Sequence, residues 1–337
     1  MKVLIAGGAG YIGGTIASAC LDAGVTPILL DRSWGPSFDG SLNRIGYEGD
    51  IADNNIIDGI FRDHPDIEVA ILCAALTKVP DSVLDPIAYY DTNVSKSLRF
   101  LIRIQQNGCR RLIFSSSTAI FQSDTSVGIT EKSPLKPESP YTRSKLAFEW
   151  ILEDLSRSSG FRAMSLRFAN PIGADPKLRT GLKSSYSSHV LGKLLVAMET
   201  NTPLEITGSD FPTRDGTGIR DYVHVWDIAE AHVAALRIFM TDVDDGRRFE
   251  AINLGSGCGT TVLELLATFN QTLGTHVTYV LSPPRLGDTA GIFVNIEKAF
   301  EVLKWKPLLT LEEGIRDSLR WFEIWRERYG QSRDSGV

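Results

Sequence analysis

Short apolar runs alternate with longer amphipathic stretches through the first half of the chain: Lys2–Ala6, Ile12–Ala23, Pro27–Leu30, Ile56–Arg62, Val69–Cys73, Tyr90–Gln106 and Arg111–Phe114. That rhythm predicts βαβ units and a parallel sheet buried on both faces. Between Tyr90 and Gln106, residues Tyr90, Val94, Leu98, Leu101 and Ile102 recur at helical spacing, and Asn107-Gly108 closes the helix. A second long helix is predicted to start at Ser139 as N-cap with Pro140 in its first position, and to run through Leu146, Trp150 and Ile151. The two helices either offer a dimer surface or simply cover the sheet. Past Asn170 the rhythm breaks. The polar stretch Gly173–Ser188 carries no hydrophobic period and is read as a loop over a ligand site. Short strands and helices follow, ending in an amphipathic helix from about Leu311 to Tyr329. The fold class is α/β, a doubly wound parallel (Rossmann) sheet over residues 1–170, with a smaller α/β domain over 171–337.

Composition narrows the partners. A net charge of −6 and a pI near 5.5 leave no electrostatic footprint for nucleic acid or an anionic membrane, so a small molecule is expected. No run of apolar residues is long enough to span a bilayer, and the chain starts directly on a strand, so a cytoplasmic location is the default expectation. Cys20, Cys73, Cys109 and Cys258 are scattered without C-x-x-C pairing; they read as buried thiols, and no metal is expected.

Gly7-Gly8-Ala9-Gly10-Tyr11-Ile12-Gly13 lies between a predicted strand and a predicted helix. Gly7, Gly10 and Gly13 allow a tight turn and close approach to a pyrophosphate, whose charge sits at the positive end of the helix. Asp31 ends the next strand, where it can bind both ribose hydroxyls and repel a 2′-phosphate, which favours NAD over NADP. Asp50, followed by Ile51, could meet an adenine amino group. Tyr141 and Lys145 are four residues apart and share a helix face, with Ser115-Ser116-Ser117 ending the strand before them. A phenol is a poor base at neutral pH unless a nearby ammonium stabilises the phenolate, and a serine there can hold a substrate oxygen while its proton is taken.

With these segments, Tyr89-Tyr90-Asp91-Thr92-Asn93-Val94, Arg167-Phe168-Ala169-Asn170-Pro171-Ile172-Gly173-Ala174 and the long run from Gly208 through Asp221-Tyr222-Val223-His224-Val225, the chain resembles the extended short-chain dehydrogenase/reductase superfamily. Within it, the UDP-galactose (UDP-glucose) 4-epimerases are most similar, over nearly the whole length. The resemblance implies Ser117, Tyr141 and Lys145 as catalytic residues. It implies a cofactor site of Gly7, Gly10, Tyr11, Ile12, Gly13, Asp31, Asp50, Ile51, Cys73, Ala74, Ala75, Asn93, Ser115, Tyr141, Lys145 and Phe168. It implies substrate binding by Ser117, Asn170, Ser188, Thr207, Arg220, Arg285 and Asp288, the two arginines also making sense as guanidinium clamps on a pyrophosphate. Segments near 218–256 are expected to return to the first domain, and a homodimer is implied. His224 is read as structural.

The expected partner is a nucleotide-sugar, a UDP-hexose, and the expected reaction is NAD-dependent 4-epimerisation through a keto-sugar. Several positions depart from the resemblance and bear on sugar and base. Cys73 replaces a histidine or phenylalanine, Thr77 a lysine, Phe121-Gln122 a Tyr-Gly, Ser188-His189 an Asn-Leu, and Thr207 an aromatic. Ser117 is followed by Thr118-Ala119-Ile120-Phe121, with no carboxylate to eliminate water from the keto-sugar, which argues against a dehydratase. A nucleotide-sugar ketoreductase or dehydrogenase is the alternative enzyme. A silent dinucleotide sensor is the non-enzymatic one; the presence of Ser117, Tyr141 and Lys145 together speaks against it.

Overall fold

The computed structural model describes residues 1–34, 44–182, 189–241, 248–284 and 289–329. Its first half runs β1 (Lys2–Ala6), α1 (Tyr11–Asp22), β2 (Thr26–Asp31), β3 (Ile45–Glu48), α2 (Asn54–Asp63), β4 (Ile67–Leu72), α3 (Val79–Leu84), α4 (Pro86–Tyr90), a π-turn (Asp91–Lys96), α5 (Ser97–Gln106), β5 (Arg111–Ser117), β6 (Asp124–Ile129), α6 (Pro140–Ser159) and β7 (Arg162–Phe168). There follow β8 (Asn170–Ile172), α7 (Val190–Thr200), β9 (Leu204–Thr207), β10 (Ile219–Arg220), β11 (Tyr222–His224), α8 (Val225–Met240), β12 (Phe249–Leu254), β13 (Thr260–Thr261), α9 (Val262–Leu273), β14 (Tyr279–Ser282), β15 (Gly291–Val294), α10 (Glu297–Leu303) and α11 (Leu311–Tyr329).

Seven of these strands form one parallel sheet in the order β12-β7-β5-β4-β1-β2-β3. Alternation along each strand sends its side chains to two cores. Val3, Ile5, Val69 and Ile71 pack under α1 and α8 with Ile16, Val233, Leu236 and Phe239. Leu4, Ala70, Leu72, Leu112 and Phe114 pack on the opposite face with Ile57, Phe100, Ile104, Phe148 and Leu152. A third core, built from Leu194, Leu204, Ile206, Leu265, Phe269 and Ile315, lies among α7, β9, α9 and α11. The order in which strands are added reverses between β1 and β4, the switch point at which doubly wound sheets bind ligands beyond the strands' carboxyl ends.

The helix expected over Tyr90–Gln106 is longer and less regular than its periodicity suggested. It begins at Pro86, with the Asp85 carboxylate accepting from Ala88 N at 3.1 Å, and widens into the π-turn before α5. Asp85-Pro86 was a readable N-cap and first-position pair; the wide turn has no signature in hydrophobic spacing. Cys258 is exposed and Cys73 half-buried, correcting the expectation of four buried thiols. His224 caps α8, its Nδ1 accepting from Trp226 N at 3.0 Å.

One face of α6 carries Tyr141, Lys145 and Glu149 at successive turns. Ser139 and Thr142 form a reciprocal capping box at its start, and Gly160 ends it at φ 68°. The helix is pinned to the sheet by Glu149, which is 2% exposed and accepts a forked pair of bonds from Arg167 of β7, Nε to Oε1 at 3.0 Å and Nη2 to Oε2 at 2.6 Å, with a further bond from Ser165 Oγ at 2.6 Å. Removing one partner of such a pair leaves the other charge buried. Glu149→Ala is therefore expected to lower unfolding stability by about 3–5 kcal/mol in urea titrations, and a loss below about 1 kcal/mol would show that Arg167 finds another partner.

Candidate active site

The dinucleotide cradle follows from backbone crowding at the switch point. Gly7 adopts φ 85°, and a Cβ there would lie 2.5 Å from Ala74 N beyond the end of β4. A Cβ on Gly13 would collide with the Gly7 carbonyl. Side chains are thus excluded where a phosphate must approach. The N-terminus of α1 has no side-chain cap and no acidic residue in its first turn, so its free N–H groups and dipole suit an anion. Asp31, at the end of β2, accepts from Ala9 N at 2.9 Å, which holds its carboxylate beside the glycine turn. The residues present therefore fit a bound NAD.

Around this cradle the structure uses some of the expected residues differently. Asp50 accepts from Lys96 Nζ at 2.8 Å and from Ala52 N at 2.9 Å; burial opposes its ionisation, but these bonds hold the carboxyl below its usual range. Ile51 is buried beside it. The Asn93 amide is fully engaged, accepting from Leu76 N at 2.8 Å and donating to Leu76 O at 2.9 Å and Ser144 Oγ at 3.0 Å. Asn93 thereby ties the segment after Cys73-Ala74-Ala75 to α6, and the π-turn sets it in place. Thr77 is exposed.

At the carboxyl edge of β5 the three expected catalytic residues come together. The Ser117 hydroxyl sits beside the Tyr141 phenol and accepts from Ala119 N at 3.2 Å. Lys145, 3% exposed, donates to the Ser115 carbonyl at 2.8 Å and sits 4.8 Å from the Phe114 ring centroid. Burial pushes the Tyr141 phenol up, and the group opposing that rise is Ser117. Burial also pulls Lys145 down to about 8, against the negative charge of Glu149 one turn on.

A cavity of about 270 Å³ opens beyond the edge of β8. Asn170, Thr207 and Arg220 line it, as expected, and so does Tyr11, whose hydroxyl donates to the Gly173 carbonyl at 2.7 Å. The Arg220 guanidinium lies along backbone carbonyls, 2.7 Å from Ile219 O and 3.3 Å from Ala290 O, and a side chain on Gly291 would displace it. Among the described residues no carboxylate pairs with Arg220, so its charge is available to an anion in the cavity. Ser188, Arg285 and Asp288 lie outside the described residues.

The chain matches the NAD dependent epimerase/dehydratase family over residues 3–255. The chain belongs to this family. A UDP-glucose 4-epimerase of Lacticaseibacillus casei is 34% identical over 337 residues, covering 98% of this chain and 99% of its own. The crystal structure of a UDP-glucose-4-epimerase from Stenotrophomonas maltophila with bound NAD and formylated UDP-arabinopyranose superposes with a TM-score of 0.90 at 31% identity, covering 97% of this chain and 99% of that one. That of a UDP-glucose 4-epimerase from Bifidobacterium longum in complex with NAD+ and UDP gives 0.86 at 31% identity, over 98% and 99%.

Two features of this family member escaped the sequence reading. One is the aromatic wall of the cavity: Ser318, Trp321 and Trp325 fall on one face of α11, a spacing visible in the sequence but with nothing to say what it faced. The other is a directed hydrogen-bond chain beneath the cradle. His232 Nδ1 lies 2.8 Å from Ile228 O and must carry the proton, so Nε2 accepts from Ser115 Oγ at 3.2 Å, and Ser115 in turn meets Cys73 Sγ at 3.1 Å. Phe168 packs against the imidazole, with ring centroids 6.4 Å apart. Burial pulls His232 down from 6.5 to about 4. Between those values the unfolded chain binds a proton that the folded chain does not, so this contribution is complete above pH 6.5 and is lost as pH falls, by up to about 3 kcal/mol. Urea unfolding of His232→Gln from pH 7 to 4 is expected to show a pH slope shallower than the parent's by about one proton. Identical slopes would mean that His232 is protonated in the fold.

Proposed function

We propose that this chain is a nucleotide-sugar 4-epimerase that interconverts a UDP-hexose pair such as UDP-glucose and UDP-galactose through a transient 4-keto sugar. The observation that carries the reading is the paired Ser117 and Tyr141 hydroxyls beside the cofactor cradle, with no carboxylate at the strand end that follows: Thr118-Ala119-Ile120 turns away as a single 3₁₀ turn. NAD, when bound, supplies the hydride acceptor and a positive ring at this edge. Tyr141 takes the proton from the sugar hydroxyl at its phenolate oxygen, and Ser117 orients the same oxygen. Lys145, anchored on the Ser115 carbonyl, binds the cofactor ribose and carries positive charge into the site. Arg220 and Asn170 hold the diphosphate at the far end, leaving the keto-sugar free to turn over before it is reduced on its other face. Burial favours the protonated Tyr141 phenol, and the positive ring that NAD would bring favours the phenolate, the form that can take the proton.

Tyr141→Phe is expected to lower turnover at least about a hundredfold while NAD stays bound, since the ring is kept and only the base is lost. The measurement is NMR of UDP-glucose with the enzyme in deuterated water. The parent should form UDP-galactose without deuterium on the ring carbons; a product lighter by water or carbon dioxide, or labelled next to the oxidised carbon, would place the chain in another branch of the family.

A homodimer through α3 to α6 completes the proposal. Leu84 is 85% exposed, Ile87 79% and Trp150 56%, and Val83 and Ile102 are exposed as well, apolar side chains of the kind that a partner would cover. Trp150→Glu should give a monomer in sedimentation velocity; a parent already monomeric would remove the dimer. No helix among the described residues is long and apolar enough to cross a membrane. We place the enzyme in the cytoplasm, which suits its free thiols and acidic charge, and cell fractionation checks this.

A further inference from the structure

The segment from Gly173 to Leu182 leaves the cavity, runs out along α1 and returns. At its start Gly173 N takes a bond to Ser318 Oγ at 2.8 Å and its carbonyl accepts from Tyr11. On its return, Thr180 Oγ1 meets Thr15 Oγ1 at 3.0 Å in the middle of α1, where Gly14 leaves room for it, and Leu182 O accepts from Trp321 Nε1 at 2.9 Å. Both ends, Gly173 and Leu182, line the cavity. The tip is an ionic clamp. Arg179 donates to both oxygens of Asp22, the last residue of α1, at 2.8 and 3.0 Å, and to both oxygens of Asp175, which is wholly buried. Its guanidinium also lies 5.5 Å from the Trp226 ring at the start of α8. Asp175 N bonds Thr180 O at 2.9 Å to close the tip, and Leu178 is held inside it at φ 55°, a conformation a leucine adopts only under constraint.

We propose that Arg179 is a positioning residue for the substrate: it keeps one wall of the nucleotide-diphosphate cavity in register with the cofactor helix without touching either ligand. This rests on the reading of the cavity as the nucleotide-diphosphate site. The physical reason is the cost of the alternative. Without the guanidinium, Asp22 keeps Lys177 at 2.9 Å, but Asp175 is a wholly buried carboxylate without its cation, so the tip must open. Opening releases Thr180 from Thr15 and Leu182 from Trp321, which loosens the cavity wall. The glycine cradle and Asp31 are built from β1, β2 and the first turn of α1 and keep their geometry. The clamp therefore acts on the substrate side alone. Lysine at 179 would keep the charge but lose the fork and the stacking on Trp226, so it should restore part of the effect.

The test is calorimetric titration of UDP into the NAD-loaded parent and into Arg179→Ala, Arg179→Lys and Asp22→Asn, with bound NAD measured by release and absorbance. Arg179→Ala is expected to weaken UDP at least about tenfold, the loss for a charge-assisted fork, with NAD content unchanged, and Arg179→Lys to recover part of that affinity. In turnover the loss should appear in KM with kcat within about twofold of the parent. Unchanged UDP affinity in Arg179→Ala overturns the proposal, as does loss of NAD in step with UDP, since a general fault of folding would take both. If Arg179→Ala does not fold, Asp22→Asn carries the test: it removes one arm of the clamp and should weaken UDP in the same direction, and unaltered affinity there overturns the proposal equally. A parent that fails to bind UDP would instead bring down the functional reading beneath it.

Discussion

The arrangement of the site depends on one steric constraint: the chain after β1 passes so close to the end of β4 that Gly7 has no room for a Cβ, and α1 turns back so close to Gly7 that Gly13 has none either. That contact fixes where α1 starts, and the helix start then serves both ligands. Its free N–H groups face the phosphate position, while Tyr11 in the same turn reaches the Gly173 carbonyl and lines the substrate cavity. A single helix terminus thus joins the glycine cradle to the cavity beyond β8. A larger residue at Gly7 would have to separate the strand ends, which are locked by parallel ladders to β2 and β5, and one at Gly13 would have to push α1 off the turn.

The parts legible in the sequence were those governed by local chemistry. Continuous apolar strands, the Gly7–Gly13 turn, Asp31 at a strand end, the Ser139-Pro140 helix start and the Tyr141–Lys145 spacing each follow from rules that act over a few residues, and α11 keeps its expected bounds. What could not be read arises between distant segments. Ser115 meets His232 across 117 positions, and Trp321 meets Leu182 across 139. The direction of the Lys145 side chain was equally hidden. Helical spacing put it on the face of Tyr141, but its partner is a strand carbonyl, which no motif specifies.

Burial, more than any pairwise charge, governs the titrating groups. It raises Tyr141 and lowers Lys145 and His232, because a doubly covered sheet disfavours whichever form is charged. The protein therefore holds neutral hydroxyls, an amine of weakened basicity and a neutral imidazole at the edge of β5. Lys145 is thus the one positive side chain that this edge adds to whatever charge the ligands bring.

The late return of the chain to its first sheet has a consequence for its synthesis. β7 pairs with β5 on one side, but its other edge stays open until β12 is made, with about 80 residues intervening. At roughly 5–20 residues per second, a nascent chain spends on the order of several seconds with a central strand's N–H and C=O groups exposed and the α8 side of the sheet bare. An edge of that kind is a template for pairing with another chain. The interval from β7 to β12, which contains the substrate cavity's own β8, α7 and β9, is therefore the stretch of translation in which a chaperone has most to shield.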